Sequence, residues 1–234
     1  VLKPLYEAQS DNVSVAFLLA NLYLQEERLT EGQALIDRVF RNLDSAEAHL
    51  IMGSLYSVRR ELPAAAEELQ KAIELNPNLP TARSNLGVIY LLSGNREGAT
   101  KAFQEELKIN PTDFIANTRL GWIYREDGRN EESEKLLRKA LDLRPNDPGP
   151  MFQLAQLMSG DGRVVEAIKL LEAVVRELPD YSPAHVVLAR LYFKVKRTED
   201  AKKEQEIIAR LRAEEQIKNS TKQPPKPHVE KPEK

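Results

Sequence analysis

Residues 80–113 read PTARSNLGVIYLLSGNREGATKAFQEELKINPTD, and the order of small, apolar, aromatic and proline residues in this stretch decides the fold. A shift of 34 residues places similar residues at the same offsets: Leu86 with Leu120, Gly87 with Gly121, and Tyr90 with Tyr124. A fixed period of this length indicates a repeat architecture in which each unit is one supersecondary element. The match continues in both directions, so the repeat organises most of the chain.

The period divides the chain into six units, which are 13–45, 46–79, 80–113, 114–147, 148–181 and 182–215. Small residues recur at two positions of the unit. The first set is Ala20, Gly53, Gly87, Gly121, Ala155 and Ala189, and the second is Gly32, Ala65, Ala99, Ser133, Ala167 and Ala201. Because two helices approach closely only where side chains are small, the two sets predict a helical hairpin in every unit.

Turn residues support the same division. Gly94, Gly128 and Gly162 share one offset in three units, where a helix that ends in a left-handed residue favours glycine. Prolines close four of the units and stop the second helix before the next unit begins. These prolines are Pro77, Pro111, Pro145 and Pro179.

This arrangement of small, aromatic and proline residues resembles the tetratricopeptide repeat. The resemblance implies an all-α, right-handed solenoid of helical hairpins whose first helices line a concave groove. In the last unit Ala213 replaces the closing proline, so its second helix is expected to run from about Thr198 to Ile217. The outer face of that helix is highly charged, which predicts a C-terminal capping helix.

The two ends of the chain differ from the repeats. Residues 1–11 are interpreted as the remnant of a preceding helix, because Leu2 and Leu5 fall on inward positions. Residues 216–234 are predicted to form a flexible tail rich in proline and lysine. Either this tail is solvated, or its proline-rich part docks into an aromatic groove.

Composition narrows the classes of function. The formal net charge of −2 gives no overall attraction to nucleic acid or membranes. No apolar run reaches the roughly 20 residues of a membrane helix, so direct membrane insertion is not expected. The chain has no cysteine, which suits the cytoplasm and the periplasm equally. A cytoplasmic location is favoured, and a periplasmic location or a membrane tether through a preceding N-terminal region stays open.

The resemblance also implies which side chains face the groove. The predicted peptide-binding residues are Phe17, Asn21, Leu50, Val88, Ile115, Arg119, Trp122, Arg125, Phe152, Gln156, Arg190 and Phe193. This set is unusually apolar for a surface, and apolar patches often mark interaction sites. Trp122, the only tryptophan, is interpreted as a binding anchor; the alternative is that it packs against neighbouring helices.

Other kinds of site fit the sequence less well. A clamp for a C-terminal carboxylate would retain only Asn85 and Arg119, too few donors for that ligand. Repeats that read RNA need a basic groove, and the groove predicted here is mostly apolar, so no nucleic-acid partner is expected. His49 and His185 are four repeats apart and cannot share a metal. The sequence predicts no cofactor and no catalytic residues.

The function predicted from the sequence is a non-catalytic scaffold that binds a protein or peptide in an apolar concave groove. Two alternatives remain. The chain could be the repeat region of a larger enzyme that positions a substrate, or a self-assembly module that forms a homo-oligomer.

Overall fold

The computed structural model describes residues 4, 13–26, 28, 30–32, 34–35 and 44–222. These residues are mainly helical and include no β-strand, which confirms the all-α fold. Apart from residue 4, the predicted helix remnant at 1–11 lies outside the described residues. The last part of the predicted tail, residues 223–234, also lies outside them. The chain divides into two compact units, Val1–Arg144 and Pro145–Lys234.

The first unit is a series of helical hairpins. Its helices are α1 (Val13–Gln25), α2 (Ala46–Val58), α3 (Leu62–Leu75), α4 (Ala82–Leu92), α5 (Arg96–Ile109), α6 (Phe114–Glu126) and α7 (Asn130–Leu143). Helix α2 pairs with α3, α4 with α5, and α6 with α7. The helices α3 and α5 also contact the first helix of the following hairpin, so each hairpin covers the previous one.

The second unit contains two hairpins. Its helices are α8 (Pro148–Gly160), α9 (Val164–Glu177), α10 (Ser182–Lys194) and α11 (Thr198–Lys222). Helix α11 continues beyond the predicted end near Ile217, so the tail boundary predicted at residue 216 needs correction. The reason is that residues 213–222 contain neither proline nor glycine, and nothing in their sequence stops the helix.

The small residues lie where the paired helices cross. A Cβ atom added to Gly87 would be 2.6 Å from Cε1 of Phe103, and one added to Gly53 would be 2.7 Å from Cγ of Leu69. At Gly121 the corresponding distance to Cγ of Leu137 is 2.9 Å. No real Cβ tolerates such distances without a shift of its neighbour, so the prediction of close helix crossings is confirmed.

The turns inside the hairpins share one backbone conformation. Gly94, Gly128 and Gly162 have φ angles of +77°, +74° and +80°, as their common offset predicts. Arg60 and Lys196 occupy the same offset in their own repeats and also adopt positive φ, +62° in each case. Because a side chain is strained in this region, the turn conformation is imposed by the hairpin rather than by the residue.

A hydrogen bond that involves a tyrosine hydroxyl links neighbouring hairpins. Gln70 donates to the hydroxyl of Tyr90 at 3.0 Å, and Gln104 donates to that of Tyr124 at 2.8 Å. In the second unit the direction is reversed, because the Tyr192 hydroxyl donates to the Glu172 carboxylate at 2.7 Å. These bonds satisfy the one polar atom of each ring that packs between hairpins.

Candidate functional site

The first helices of the first unit carry large apolar side chains that remain exposed. Val58 is 42% exposed at the end of α2, and Leu92 is 47% exposed at the end of α4. The two residues occupy the same position of consecutive repeats. Exposed apolar side chains therefore recur at this position in two consecutive repeats, whereas the next repeat carries Glu126 there.

Trp122 lies on α6 and is only partly buried. It packs beside a core cluster, as do Val88 and Ile115. That cluster consists of Ala99, Phe103, Ala116, Leu120, Ile123 and Tyr124. Trp122 thus combines the two roles considered from the sequence, since part of its side chain contacts the core and part stays accessible.

Arg96, at the start of α5, holds the Trp122 ring in place. Its guanidinium carbon lies 5.4 Å from the ring centroid, within the range of a cation–π contact. The same guanidinium donates to the carbonyl oxygen of Ile123 at 2.9 Å and to the carboxylate of Asp127 at 2.6 Å. Arg96 was not among the predicted site residues because it belongs to a second helix, and the groove positions considered all lie on first helices.

The predicted cations near Trp122 differ in their surroundings. Arg119 is exposed. The Arg125 side chain is only 17% exposed and pairs with Glu126 at 2.5 Å. Arg119 is therefore the more accessible of the two for a ligand that carries negative charge.

Two positions of the predicted groove are part of the interior. Leu50 is 6% exposed and belongs to the core between α2, α3 and α4. Ser84, at the equivalent position one repeat later, is completely buried, and its hydroxyl donates to Asp113 at 2.7 Å. Neither residue offers surface to a ligand. The side chains of Phe17 and Asn21, also predicted for the groove, lie outside the described residues.

The Ser84 bond belongs to a buried polar cluster at the start of α6. Asp113 also accepts a hydrogen bond from the Ala116 N–H at 2.6 Å and so caps that helix. Glu106, fully buried on α5, accepts from the Thr81 N–H at 3.0 Å. Burial raises the pKa of the Glu106 carboxyl above its ordinary range. The cluster closes the junction between two repeats and is not accessible to a substrate.

In the second unit, Phe152 and Gln156 of α8 line an open groove together with the start of α10 and the last turns of α11. Phe152 is mostly buried, and its ring meets that of Tyr181 edge-on with 5.1 Å between centroids. Arg190 and Phe193 lie on α10 and are both exposed, Phe193 by 44%. They line a different groove, between α10 and α11.

The two histidines have equivalent roles in their own repeats. Nδ1 of His49 lies 2.6 Å from the Glu68 carboxylate, and Nδ1 of His185 lies 2.5 Å from that of Glu204. Each pair joins the two helices of one hairpin. Nε2 of His185 donates to the carbonyl oxygen of Pro179 at 2.8 Å. Both rings therefore have structural partners.

The described residues contain neither a candidate metal site nor a helix that could cross a membrane. No group of three or more His, Cys, Asp or Glu side chains in residues 13–222, leaving aside the positions without description, could hold a metal ion. None of the helices that the structure describes combines the length and the apolar character that crossing a bilayer requires.

Comparison with solved structures shows the fold. The pilF protein of Pseudomonas aeruginosa is 18% identical, with a TM-score of 0.76 over 89% of this chain and 97% of its own. A chain of the APC/C hetero-tetramer Cut9–Hcn1 gives 15% identity and a TM-score of 0.73 over 90% of this chain and 42% of the other. YrrB, a TPR protein with an unusual peptide-binding site, gives 21% identity and a TM-score of 0.62 over 77% and 93%.

Comparison at the level of sequence gives the family. No curated protein sequence matches the chain. Family models do match: a TPR repeat model covers residues 59–94, and two tetratricopeptide repeat models cover 85–148 and, in two copies, 124–178 and 158–217. Together these matches run without a gap from residue 59 to residue 217, which is more than half of the chain. With the hairpins, crossings and turns described above, they show that the chain belongs to the tetratricopeptide repeat family.

Proposed function

We propose that this protein is a non-catalytic interaction scaffold that binds a peptide or protein segment on the surface of its first helices. The observation that carries the proposal is the partly exposed Trp122, which packs with Val88 and Ile115 against one cluster, while Val58 and Leu92 are exposed on the first helices of the same unit. A soluble fold gains nothing from exposing large apolar side chains in register, whereas a binding surface does. YrrB, which shares the fold, is described as peptide-binding.

Trp122 is the proposed anchor of the bound segment. Aromatic residues that are half-buried and rigidly held lose little conformational entropy when they contact a ligand. The contact with Arg96 fixes the ring before binding. Val88 and Ile115, which pack beside the same cluster, would form the apolar floor around it. In the second unit the proposal includes Phe152 and Gln156, which line an open groove.

The test uses the fluorescence of Trp122, because no other tryptophan contributes to the signal. A phage library of random peptides of about 12 residues, long enough to cross several helices in an extended form, is selected against the full chain. Selected peptides are then synthesised and titrated. We expect a saturable change in Trp122 emission as the ring is covered.

Variants decide whether Trp122 is an anchor. Trp122→Ala should weaken binding of a labelled peptide at least about tenfold while costing less stability than Leu120→Ala, for which we expect a loss of about 2–5 kcal/mol. Val165→Ala, at a 63% exposed position of α9, is the control. Peptide binding that survives Trp122→Ala unchanged, or a loss of stability as large as that of Leu120→Ala, would show that Trp122 is only a packing residue.

A further inference from the structure

The last hairpin presents an open groove between α10 and α11. Residues Val186, Ala189, Arg190 and Phe193 of α10 form one wall, and Gln205, Ile208, Ala209 and Arg212 of α11 form the other. In both rows the spacing is i, i+3, i+4 and i+7, so each row is one continuous face about 10 Å long. We refer to these eight residues as the end groove.

The chain itself shows what such a groove can hold. The equivalent groove of the preceding hairpin, between α8 and α9, is occupied by α10, which contacts both helices. Its walls include Leu171 and Val174 of α9, and both are completely buried. In the end groove the corresponding positions are Gln205 and Ile208, and no further helix of the described chain covers them.

The end groove keeps apolar character without such a cover. Phe193 is 44% exposed and Val186 is 43% exposed, and Ile208 and Ala189 form part of the floor. A hairpin that served only as a polar cap would carry charged residues here, as the rest of α11 does. The apolar floor therefore favours a partner that adds a helix to the end of the second unit.

The charges of the end groove define that partner further. Arg190 and Arg212 are its only ionised residues, and neither forms an ion pair with any residue that the structure describes. Two guanidinium groups beside an apolar floor are complementary to carboxylates that flank an apolar stripe.

Two other occupants fit less well. A second copy that used the same face would place arginines opposite arginines, a repulsive arrangement. The segment after Lys222 contains Pro224, Pro225, Pro227 and Pro232, a sequence that does not supply a helix.

We propose that the end groove binds an amphipathic α-helix of another protein, with apolar residues spaced three and four apart and acidic residues beside them. The end groove belongs to the second unit and shares Val186 and Arg212 with the groove of Phe152 and Gln156. The inference therefore rests on the function proposed above and adds the class of partner. The bound helix would take the place that α10 takes against α8 and α9.

The experiment uses the full chain and two labelled synthetic helices. One is an alanine-based peptide of about 18 residues, or five turns, with leucines spaced three and four apart and glutamates beside them. The other is identical except that lysines replace the glutamates. Fluorescence anisotropy measures both affinities. We expect the glutamate peptide to bind at least about tenfold more tightly, with a preference that weakens as salt is added.

Variants of the end groove complete the test. The double variant R190E/R212E should reverse the preference between the two peptides, and Phe193→Ser should weaken both. Val165→Ser, on the exposed face of α9, is the matched control and should change neither. All four substituted residues are exposed, so circular dichroism should show an unchanged fold.

Three results would overturn the proposal. The first is equal binding of the two peptides, and the second is a preference that R190E/R212E leaves unreversed. The third is a concentration-dependent dimer in analytical ultracentrifugation that Phe193→Ser dissociates, because the occupant would then be a second copy. Trp122→Ala should leave binding of the glutamate peptide intact, so failure of the Trp122 anchor and failure of the end groove are distinguishable.

Discussion

The crossing of α4 and α5 allows a direct test of how the hairpins are held together. In Gly87→Ala the new Cβ would lie 2.6 Å from Cε1, 2.8 Å from Cζ and 2.9 Å from Cδ1 of Phe103. All three atoms belong to one rigid ring that is completely buried. The ring cannot rotate away from all three contacts at once, so either the ring or the helix must move.

The expected magnitude follows from two opposing effects. Overpacking a well-filled core costs about 1–3 kcal/mol. Alanine is favoured over glycine inside a helix by up to about 1 kcal/mol, which offsets part of this cost. Because all three contacts are below 3.0 Å and made with one buried ring, we expect the overpacking cost to lie in the upper part of its range, and Gly87→Ala to lower the free energy of unfolding by about 1–2 kcal/mol.

Urea unfolding followed by circular dichroism at the helix band measures this change. Gly160→Ala is the matched control, because no atom lies within 4 Å of a Cβ added there, and it should be neutral or stabilising. The equivalent positions in the fifth repeat carry Ala155 and Leu171, both buried. Phe103→Leu should therefore make Gly87→Ala less harmful, with a coupling of about 1 kcal/mol in a double-mutant cycle. If Gly87→Ala behaves like Gly160→Ala, the close crossing is not what limits the packing.

Three further predictions concern single residues. Glycine adopts a positive φ without strain, so Lys196→Gly should raise the free energy of unfolding by about 0.5–1 kcal/mol in urea titrations. A lower free energy of unfolding would mean that the side chain of Lys196 makes a compensating contribution. Asp113→Ala removes the acceptor for two hydrogen bonds and should cost about 2–3 kcal/mol by the same measurement, with Asp113→Asn recovering part of this, and a neutral result would contradict the capping role. For Glu106 the raised pKa means that the native state keeps its proton to higher pH than the unfolded state, so stability is lost as pH rises above the ordinary value of 4.5. In thermal unfolding, Glu106→Gln should accordingly be more stable than the wild type at neutral pH and equal to it in acid. If Glu106→Gln is more stable by the same amount at every pH, ionisation of the Glu106 carboxyl is not the cause.

The repeat period predicts most of the fold because it is a property of the residues themselves. Gly87 lies at an offset that takes only a small residue, and Phe103 lies at the facing offset, which takes a large one. Gly94 lies at an offset where the backbone is left-handed. The structure confirms all three. The left-handed conformation of Arg60 and Lys196 is different, since neither residue indicates it. Only the repeat offset that they share with Gly94 predicts a positive φ at these two residues.

The candidate site is less predictable, because exposure depends on neighbours that a single position does not reveal. Ser84 has the same repeat position as Leu50, a position that the repeat pattern predicts to face the groove. Ser84 is instead drawn into a hydrogen bond with Asp113, 29 residues away. The contact of Arg96 with Trp122 likewise joins residues of two different repeats, and no periodic pattern specifies it.

The bond between Tyr192 and Glu172 has a spectroscopic consequence. Burial and the neighbouring carboxylate raise the pKa of the Tyr192 phenol. In an alkaline titration followed by ultraviolet absorbance, Tyr192 is expected to lose its proton at a pH above the ordinary value for a phenol, and opening of the contact between α9 and α10 should bring this step to lower pH. The delayed absorbance step would make Tyr192 a natural chromophore for the loosening of one hairpin junction, without any label.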